Sequence, residues 1–212
     1  VENERESKGE EGGGMKRGYL FTILFMFIVS AVFTALLATA NLLASAKIDE
    51  NRAFALRRSI LYALNIQNDG SAAGINNAYA ASVKEIPASG GTVMAATDAG
   101  GNIIAYAVPI KGPGLWGTIW GFLGISADLK SLTGIVFTAQ SETPGLGARI
   151  DEESYKAQFR GMAVSPGATL ILKNGGNGDV DGITGATFTS RSVVGMINKA
   201  LQNDLQGLEG LK

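Results

Sequence analysis

The run Asp181-Gly182-Ile183-Thr184-Gly185-Ala186-Thr187-Phe188-Thr189-Ser190 sets two small residues among four hydroxyls, just ahead of an amphipathic stretch. That stretch places Val194, Ile197, Leu201, Leu205 and Leu208 on one helical face. The run therefore reads as a loop entering a helix N-terminus, with Thr189 or Ser190 able to cap it. Gly185 and Ala186 carry no bulk, so another group can approach the backbone closely. The free N–H groups at a helix start favour a phosphate. A phosphorylated ligand fits this chemistry. Taken alone, a tight loop before a capped helix fits as well and is the commoner case for so short a pattern.

What the rest of the chain lacks narrows the options. There is no Cys, so no iron–sulfur ligation, thiol nucleophile or disulfide is available. There is no His, which removes the commonest haem and zinc ligand and the usual general base near neutral pH. Catalytic or redox work must come from hydroxyls, carboxylates, Lys and Arg, or from a cofactor. The formal net charge is −1 and the pI about 5.6, with basic residues scattered, so a nucleic-acid partner is not expected. No Gly-rich dinucleotide loop follows a strand, and no acid–base pair for substrate turnover stands out. No metal site is expected.

The segment from Asp181 to Thr187 resembles the flavinylation motif D-x-x-(S/T)-G-A-T of the covalent-FMN domain family. Glu142-Thr143-Pro144-Gly145-Leu146-Gly147 resembles the family's E-T-P-G-L-G loop. Gly114-Leu115-Trp116-Gly117 is similar to a G-L-W segment in the C subunit of the sodium-translocating NADH:quinone oxidoreductase. Ala148-Arg149-Ile150-Asp151 and Gln158-Phe159-Arg160-Gly161 also resemble that protein. The resemblance implies FMN held covalently, with its phosphate esterified to Thr187 by a flavin transferase that takes FMN from FAD. Asp181 is then read by the transferase, while Thr184, Gly185, Ala186 and Thr189 form the attachment loop and helix entry. Leu115, Trp116, Glu142, Thr143, Gly145, Leu146 and Gly147 would lie beside the flavin ring. One departure stands out: many relatives have a His shortly before the loop's Glu, where this chain has Gln140-Ser141.

By the same resemblance the chain is an electron-transfer subunit of an ion-translocating NADH:quinone oxidoreductase, with the other membrane subunits as partners. The G subunit of the Rnf ferredoxin:NAD oxidoreductase shares two of the motifs and is the alternative. A different class of reading is a membrane-anchored binding module without cofactor. Singly, Thr-Pro-Gly is an ordinary turn and the tryptophans are ordinary core aromatics; Trp120 is assigned to the core.

The elements that must position these residues begin with residues 19–46, which contain no charged residue and exceed the roughly 20 apolar residues a bilayer core requires. A cleaved signal peptide competes, given Ala44-Ser45-Ala46, but signal apolar cores are only about 7–15 residues long. Lys16 and Arg17 before the span favour a cytoplasmic N-terminus, putting the rest outside a bacterial or archaeal cell membrane. Residues 1–14 read as a disordered tail or a stretch ahead of the true start. The expected organisation is a tail at 1–18, a span at 19–46, a stalk helix with a connecting segment at 47–90, and an FMN domain at 91–212. In that domain, strands at 92–96 and 103–110 flank Asp98-Ala99-Gly100-Gly101-Asn102, and strands at 117–125 and 132–138 form a second pair. A helix at about 151–161, a strand at 169–173, a Gly/Asp loop at 175–181 and the final helix follow. Hairpin-linked strands followed by helices predict an α+β domain with a mostly antiparallel sheet.

Overall fold

The computed structural model describes residues 11–88, 91–173, 176–205 and 207–208. It divides into two units, Val1–Asn51 and Arg52–Lys212. The first unit holds most of helix α1 (Glu11–Ala63), in which the stretch from Gly18 is long and apolar enough to cross a membrane. Its large side chains, among them Phe21, Leu24, Phe27, Phe33 and Leu37, are exposed all round the helix, a distribution that suits lipid rather than water. Of the expected tail, residues 1–10 lie outside the described residues. From Glu11 the chain is already helical, since extending an established helix backward fixes little extra per residue.

In the second unit α1 ends in a Schellman motif. Asn65 takes a left-handed φ of 57°, Ile66 N donates to Leu61 O (2.9 Å) and Asn65 N to Tyr62 O (3.1 Å). Helix α2 (Ala72–Ser82) follows, capped by Ser71, whose hydroxyl accepts from Gly74 N at 2.9 Å. Then comes an antiparallel meander: β1 (Val83–Ala88), β2 (Gly91–Thr97), β3 (Ile103–Pro113), β4 (Thr118–Ser126) and β5 (Leu132–Ala139), hydrogen-bonded in sequence order. Strands β2 to β5 fall where the alternation and the Asp98–Asn102 turn place them. The sequence missed α2 and β1. Edge strand β1 has Val83, Ile86 and Ala88 half-buried at uneven spacing, so its apolar period is faint.

The sheet buries both faces. One carries Ile110, Ile119, Leu123, Ile125 and Ile135 against α4 (Thr187–Lys199), which contributes Val193 and Ile197, and against Leu201 in the π-type turn Ala200–Asp204. The other is small-residue-rich, with Ala96, Ala105 and Ala107 receiving Ile60, Ala63 and Leu64 from the end of α1. Trp120 is not core. It is 48% exposed, and Lys111 sits 5.2 Å from its ring centre. Alternation sends Ile119 and Leu123 into the α4 side, leaving Trp120 on the opposite face beyond its cover.

Two further expectations are corrected. The helix at 151–161 is broken into 3-10 turns, Gly147–Asp151 and Ala157–Phe159, around the single-turn α3 (Glu153–Lys156). Glu152 is extended between them (φ −67°, ψ 141°), which lets Ile150, Tyr155 and Phe159 all reach the core. The strand at 169–173 makes only an isolated parallel bridge, Leu172 to Val180. Its backbone is spent on the returning loop: Asp179 N donates to Ile171 O, and Ile171 N to the Asp179 carboxylate, both at 2.8 Å.

Tyr155 is buried edge-on to Phe159 with ring centres 5.6 Å apart, and its hydroxyl has no hydrogen-bond partner among the described residues. Burial pushes its pKa up. Since the folded-state pKa lies above the unfolded one, its contribution to stability is whole below about pH 10 and is lost as pH rises beyond that. Tyr155→Phe is therefore expected to raise stability by up to about 1 kcal/mol at pH 7 and to flatten the alkaline decline. Urea unfolding at pH 7 and pH 10.5 checks this; a less stable variant with an unchanged alkaline slope refutes it.

Candidate functional site

The attachment loop is built by one turn and one serine. Ala186 N donates to Ile183 O at 2.9 Å, closing a turn whose third residue, Gly185, has φ +80°. The Ser190 hydroxyl accepts from Ile183 N (2.9 Å) and donates to Ala186 O (3.0 Å), so it ties the turn to the first turn of α4. Neither Thr189 nor Ser190 is the cap. Helix α4 starts at Thr187 with Ala186 at the cap position and no side-chain cap bond. The Ala186 carbonyl already accepts Ser190 N at 3.0 Å, which carries the helix up to the turn and draws both hydroxyls inward.

Thr189 is 2% exposed, and its hydroxyl donates to Glu142, itself 5% exposed. The other carboxylate oxygen of Glu142 accepts from Leu115 N at 2.8 Å and Trp116 N at 3.2 Å. The hairpin tip between β3 and β4, the loop after β5 and the start of α4 thus meet on a single buried carboxylate. A buried charge is tolerable only when its lone pairs are filled this way. The glycines give it room. A Cβ on Gly114 would lie 2.5 Å from one Glu142 oxygen, and one on Gly147 would lie 2.5 Å from the other and 2.7 Å from the Thr189 hydroxyl. Gly145 turns the loop with φ +76°. Just before the loop, Gln140 accepts from Glu142 N (2.6 Å) and donates to Asp151 (2.9 Å), bracing it.

Around this hub large apolar side chains stand in solvent: Leu115, Trp116 (69% exposed), Leu146 and Phe188. The Trp116 indole N–H donates to the Thr143 hydroxyl at 3.0 Å, and Leu146 lies 3.0 Å from where a Cβ on Gly185 would be. Thr187 is exposed at the first position of α4, and no hydrogen bond among the described residues engages its hydroxyl. The N–H groups of Thr187, Phe188 and Thr189 have no carbonyl one helical turn back. An exposed hydroxyl, unpaired donors at a positive helix end and apolar flanks together suit a phosphate ester bearing a flat aromatic group.

Asp181 and Thr184 line an open pocket of about 220 Å³ with Arg149, Glu152, Tyr155 and Gln158. Asp181 pairs with Lys173 at 2.9 Å, an exposed bridge that contributes little to stability. Sequence reading did not assign two positions to the site and gave a third, Ser190, a different role as a cap. Gln158 clamps the Asp181 backbone, Ser190 locks the turn, and Phe188 adds an exposed ring; only the Gln-Phe-Arg-Gly resemblance pointed near the first. Gly147→Ala is expected to push Thr189 off Glu142 and cost about 2 kcal/mol. Thermal unfolding within about 1 °C of wild type would refute that crowding.

Residues 114–202 match the family model of the FMN-binding domain. The G subunit of the ion-translocating oxidoreductase complex of Methanosarcina acetivorans is 39% identical over 104 residues, 49% of this chain and 53% of that protein. The C subunit of the Na(+)-translocating NADH-quinone reductase of Pseudomonas aeruginosa is 32% identical over 124 residues, 53% of this chain and 48% of its own. The chain thus spans about half the length of these relatives. The crystal structure of Shewanella oneidensis NqrC superposes with a TM-score of 0.62 at 21% identity, over 74% of this chain and 95% of that one. That of the C subunit of the Na(+)-translocating NADH-quinone reductase from Parabacteroides distasonis gives 0.63 at 24% identity, over 76% and 95%. The fold is the one these structures share.

Proposed function

We propose that this chain is a membrane-anchored electron-transfer subunit carrying FMN through a phosphoester to Thr187, within an ion-translocating NADH:quinone oxidoreductase complex. The observation that carries the reading is the meeting of the three motif loops on the buried Glu142 carboxylate, beside the exposed hydroxyl of Thr187 at a helix start. The bound FMN would supply reversible electron chemistry. The protein's part is to hold it. Thr187 provides the ester oxygen, and the N–H groups of Phe188 and Thr189 face a phosphate at the helix end. Leu115, Trp116, Thr143 and Leu146 would flank the ring and limit its contact with water. Thr184, Gly185 and Ala186 shape the loop, with Gly145 and Gly147 shaping its neighbour. Glu142 acts by positioning, because its oxygens are already engaged by protein donors.

Helix α1 would anchor the chain, and Lys16 and Arg17 before the span favour a cytoplasmic N-terminus with the FMN unit on the outer face. Other membrane subunits of the complex are the electron donor and acceptor, and a flavin transferase loads the site by way of Asp181. A second reading, the G subunit of an Rnf-type complex, is supported by the 39% identity to the Methanosarcina protein. Copurification with quinone-reductase or with ferredoxin-linked subunits separates the two.

Coexpression with a flavin transferase, followed by a denaturing gel, is expected to give a fluorescent band for wild type and none for Thr187→Ala. If both stay dark while an established acceptor glows, the chain is instead a cofactor-free membrane-anchored binding module.

A further inference from the structure

We infer that Gln158 is the positioning residue of the flavin-acceptor loop, holding the Asp181 backbone in the pose the flavin transferase must bind. Its side-chain oxygen accepts from Asp181 N at 2.7 Å, and its amide donates to Tyr155 O at 2.9 Å and to Asp181 O at 3.4 Å. One amide therefore grips both polar groups of the Asp181 backbone and is itself fixed to the turn of Tyr155, a core residue. The other ties on this stretch are of a different kind. Lys173 N to Val180 O and Ile171 N to Asp179 join neighbouring parts of one surface excursion, and the Lys173–Asp181 bridge is exposed. Ser190 holds the far end, at Ile183. Among the described residues, Gln158 supplies the hydrogen bonds from the folded body to Asp181 at the start of the motif, next to the core residue Val180.

The pocket beside it is open, and Gln158, Asp181 and Thr184 form part of its lining. A modifying enzyme approaching Thr187 from the Asp181 side meets this surface. The inference rests on the covalent-flavin reading above. In the loading step the Thr187 hydroxyl oxygen bonds to the FMN phosphorus of FAD, and the bond from that phosphorus to the bridging oxygen breaks. AMP leaves with that oxygen, and the hydroxyl proton passes to the transferase or to water; nothing is oxidised or reduced. Gln158 takes no part in this exchange. Without it, the loop samples several poses, and the acceptor's apparent affinity for the transferase falls by the fraction that remains competent.

The test uses the detergent-solubilised full chain, made without transferase and then incubated with purified transferase and FAD. Flavin incorporation is followed by in-gel fluorescence across a range of acceptor concentrations. Gln158→Ala is expected to raise the acceptor KM about tenfold with kcat within about twofold, corresponding to a competent fraction of roughly one in ten. Gln158→Glu, which keeps an oxygen for Asp181 N but sets a carboxylate oxygen against the carbonyls of Tyr155 and Asp181, is expected to recover little of that loss. Ile125→Val, a core variant on β4 that leaves the Gln158 bonds in place, serves as the stability control and is expected to load like wild type. Wild-type kinetics in Gln158→Ala would overturn the inference, as would an equal KM rise in Ile125→Val or a Glu variant that loads like wild type. A dark wild type would instead strike the covalent-flavin reading, so the two failures are distinct.

Discussion

Glu142→Ala lowers the unfolding free energy of the chain by about 3 kcal/mol, whereas Glu142→Gln lowers it by about 1 kcal/mol. The difference follows from what each leaves behind. In the native site one oxygen takes two backbone N–H groups and the other takes the buried Thr189 hydroxyl. Alanine leaves all three donors facing a void, and an unmet donor costs about 1–3 kcal/mol where water cannot reach it. Leu115 and Trp116 lie at a hairpin tip open to solvent, so their share is at the low end, and the Thr189 share dominates. Glutamine fills the same space, and its oxygen still accepts from the hairpin tip. Its amide must face Thr189, whose hydroxyl turns to accept. What it loses is the charge assistance, which roughly doubles such bonds.

The same substitution loosens three loops together, so its second effect is on the site. In a Trp120→Phe background, Trp116 is the remaining tryptophan, and its fluorescence anisotropy is expected to drop in Glu142→Ala and hold in Glu142→Gln. Flavin loading is expected to follow the same order. Urea unfolding of the three proteins in one detergent decides the matter. Equal stability of the alanine and glutamine variants would mean that an accepting oxygen at this position does not hold the three loops.

The sequence was most informative where the constraint is local. The turn Asp98–Asn102 is legible because Asp98 can accept from Gly100 N and Asn102 N, and Gly101 can take φ +83°; both happen. The antiparallel strands follow from alternation for the same reason. Legibility failed where a residue's role is set by a partner far along the chain. Thr189 and Ser190 have cap chemistry, yet Glu142, 47 residues away, claims the first and the Ile183 N–H claims the second. Trp120 is aromatic on a central strand, and nothing in its neighbours announces that its face is uncovered there. The motif residues are known by pattern, but their convergence on one carboxylate is a fact of the fold alone.

The end of helix α1 is a second long-range constraint, and a larger effect hangs on it. Gly124 and Gly134 are opposite each other on β4 and β5, and together they clear a flat window in the sheet. A Cβ on Gly124 would lie 1.9 Å from Ala63 O and 2.3 Å from the Thr133 hydroxyl, while one on Gly134 would lie 3.2 Å from Ala63 O and 3.3 Å from Tyr62 O. Backbone therefore rests on backbone there, and Thr133 donates to Ala63 O at 2.7 Å. The Tyr62 ring is flanked by Lys156 and Arg160, each 4.4 Å from its centre, and Arg160 also donates to Asn65 at 2.7 Å. Arg160 is two residues from Gln158, so one short segment touches both the helix end and the acceptor loop.

Gly124→Ala must lift Ala63 off the sheet or bend the strand, because the nearest atom it meets, the Ala63 carbonyl oxygen, is backbone. It is expected to cost about 3 kcal/mol, the upper range for overpacking, or about 6–12 °C in Tm for a unit of this size. Gly134→Ala, with contacts only a few tenths of an ångström too close, is expected to cost about 1 kcal/mol. Differential scanning fluorimetry of both variants in detergent tests the order. If Gly134→Ala proves the more damaging, or neither shifts Tm, then the helix end does not rest on that window. If the order holds, a Gly124→Ala protein that is still folded is also expected to load flavin more slowly, since displacing Tyr62 and Asn65 disturbs the segment that carries Arg160 and Gln158.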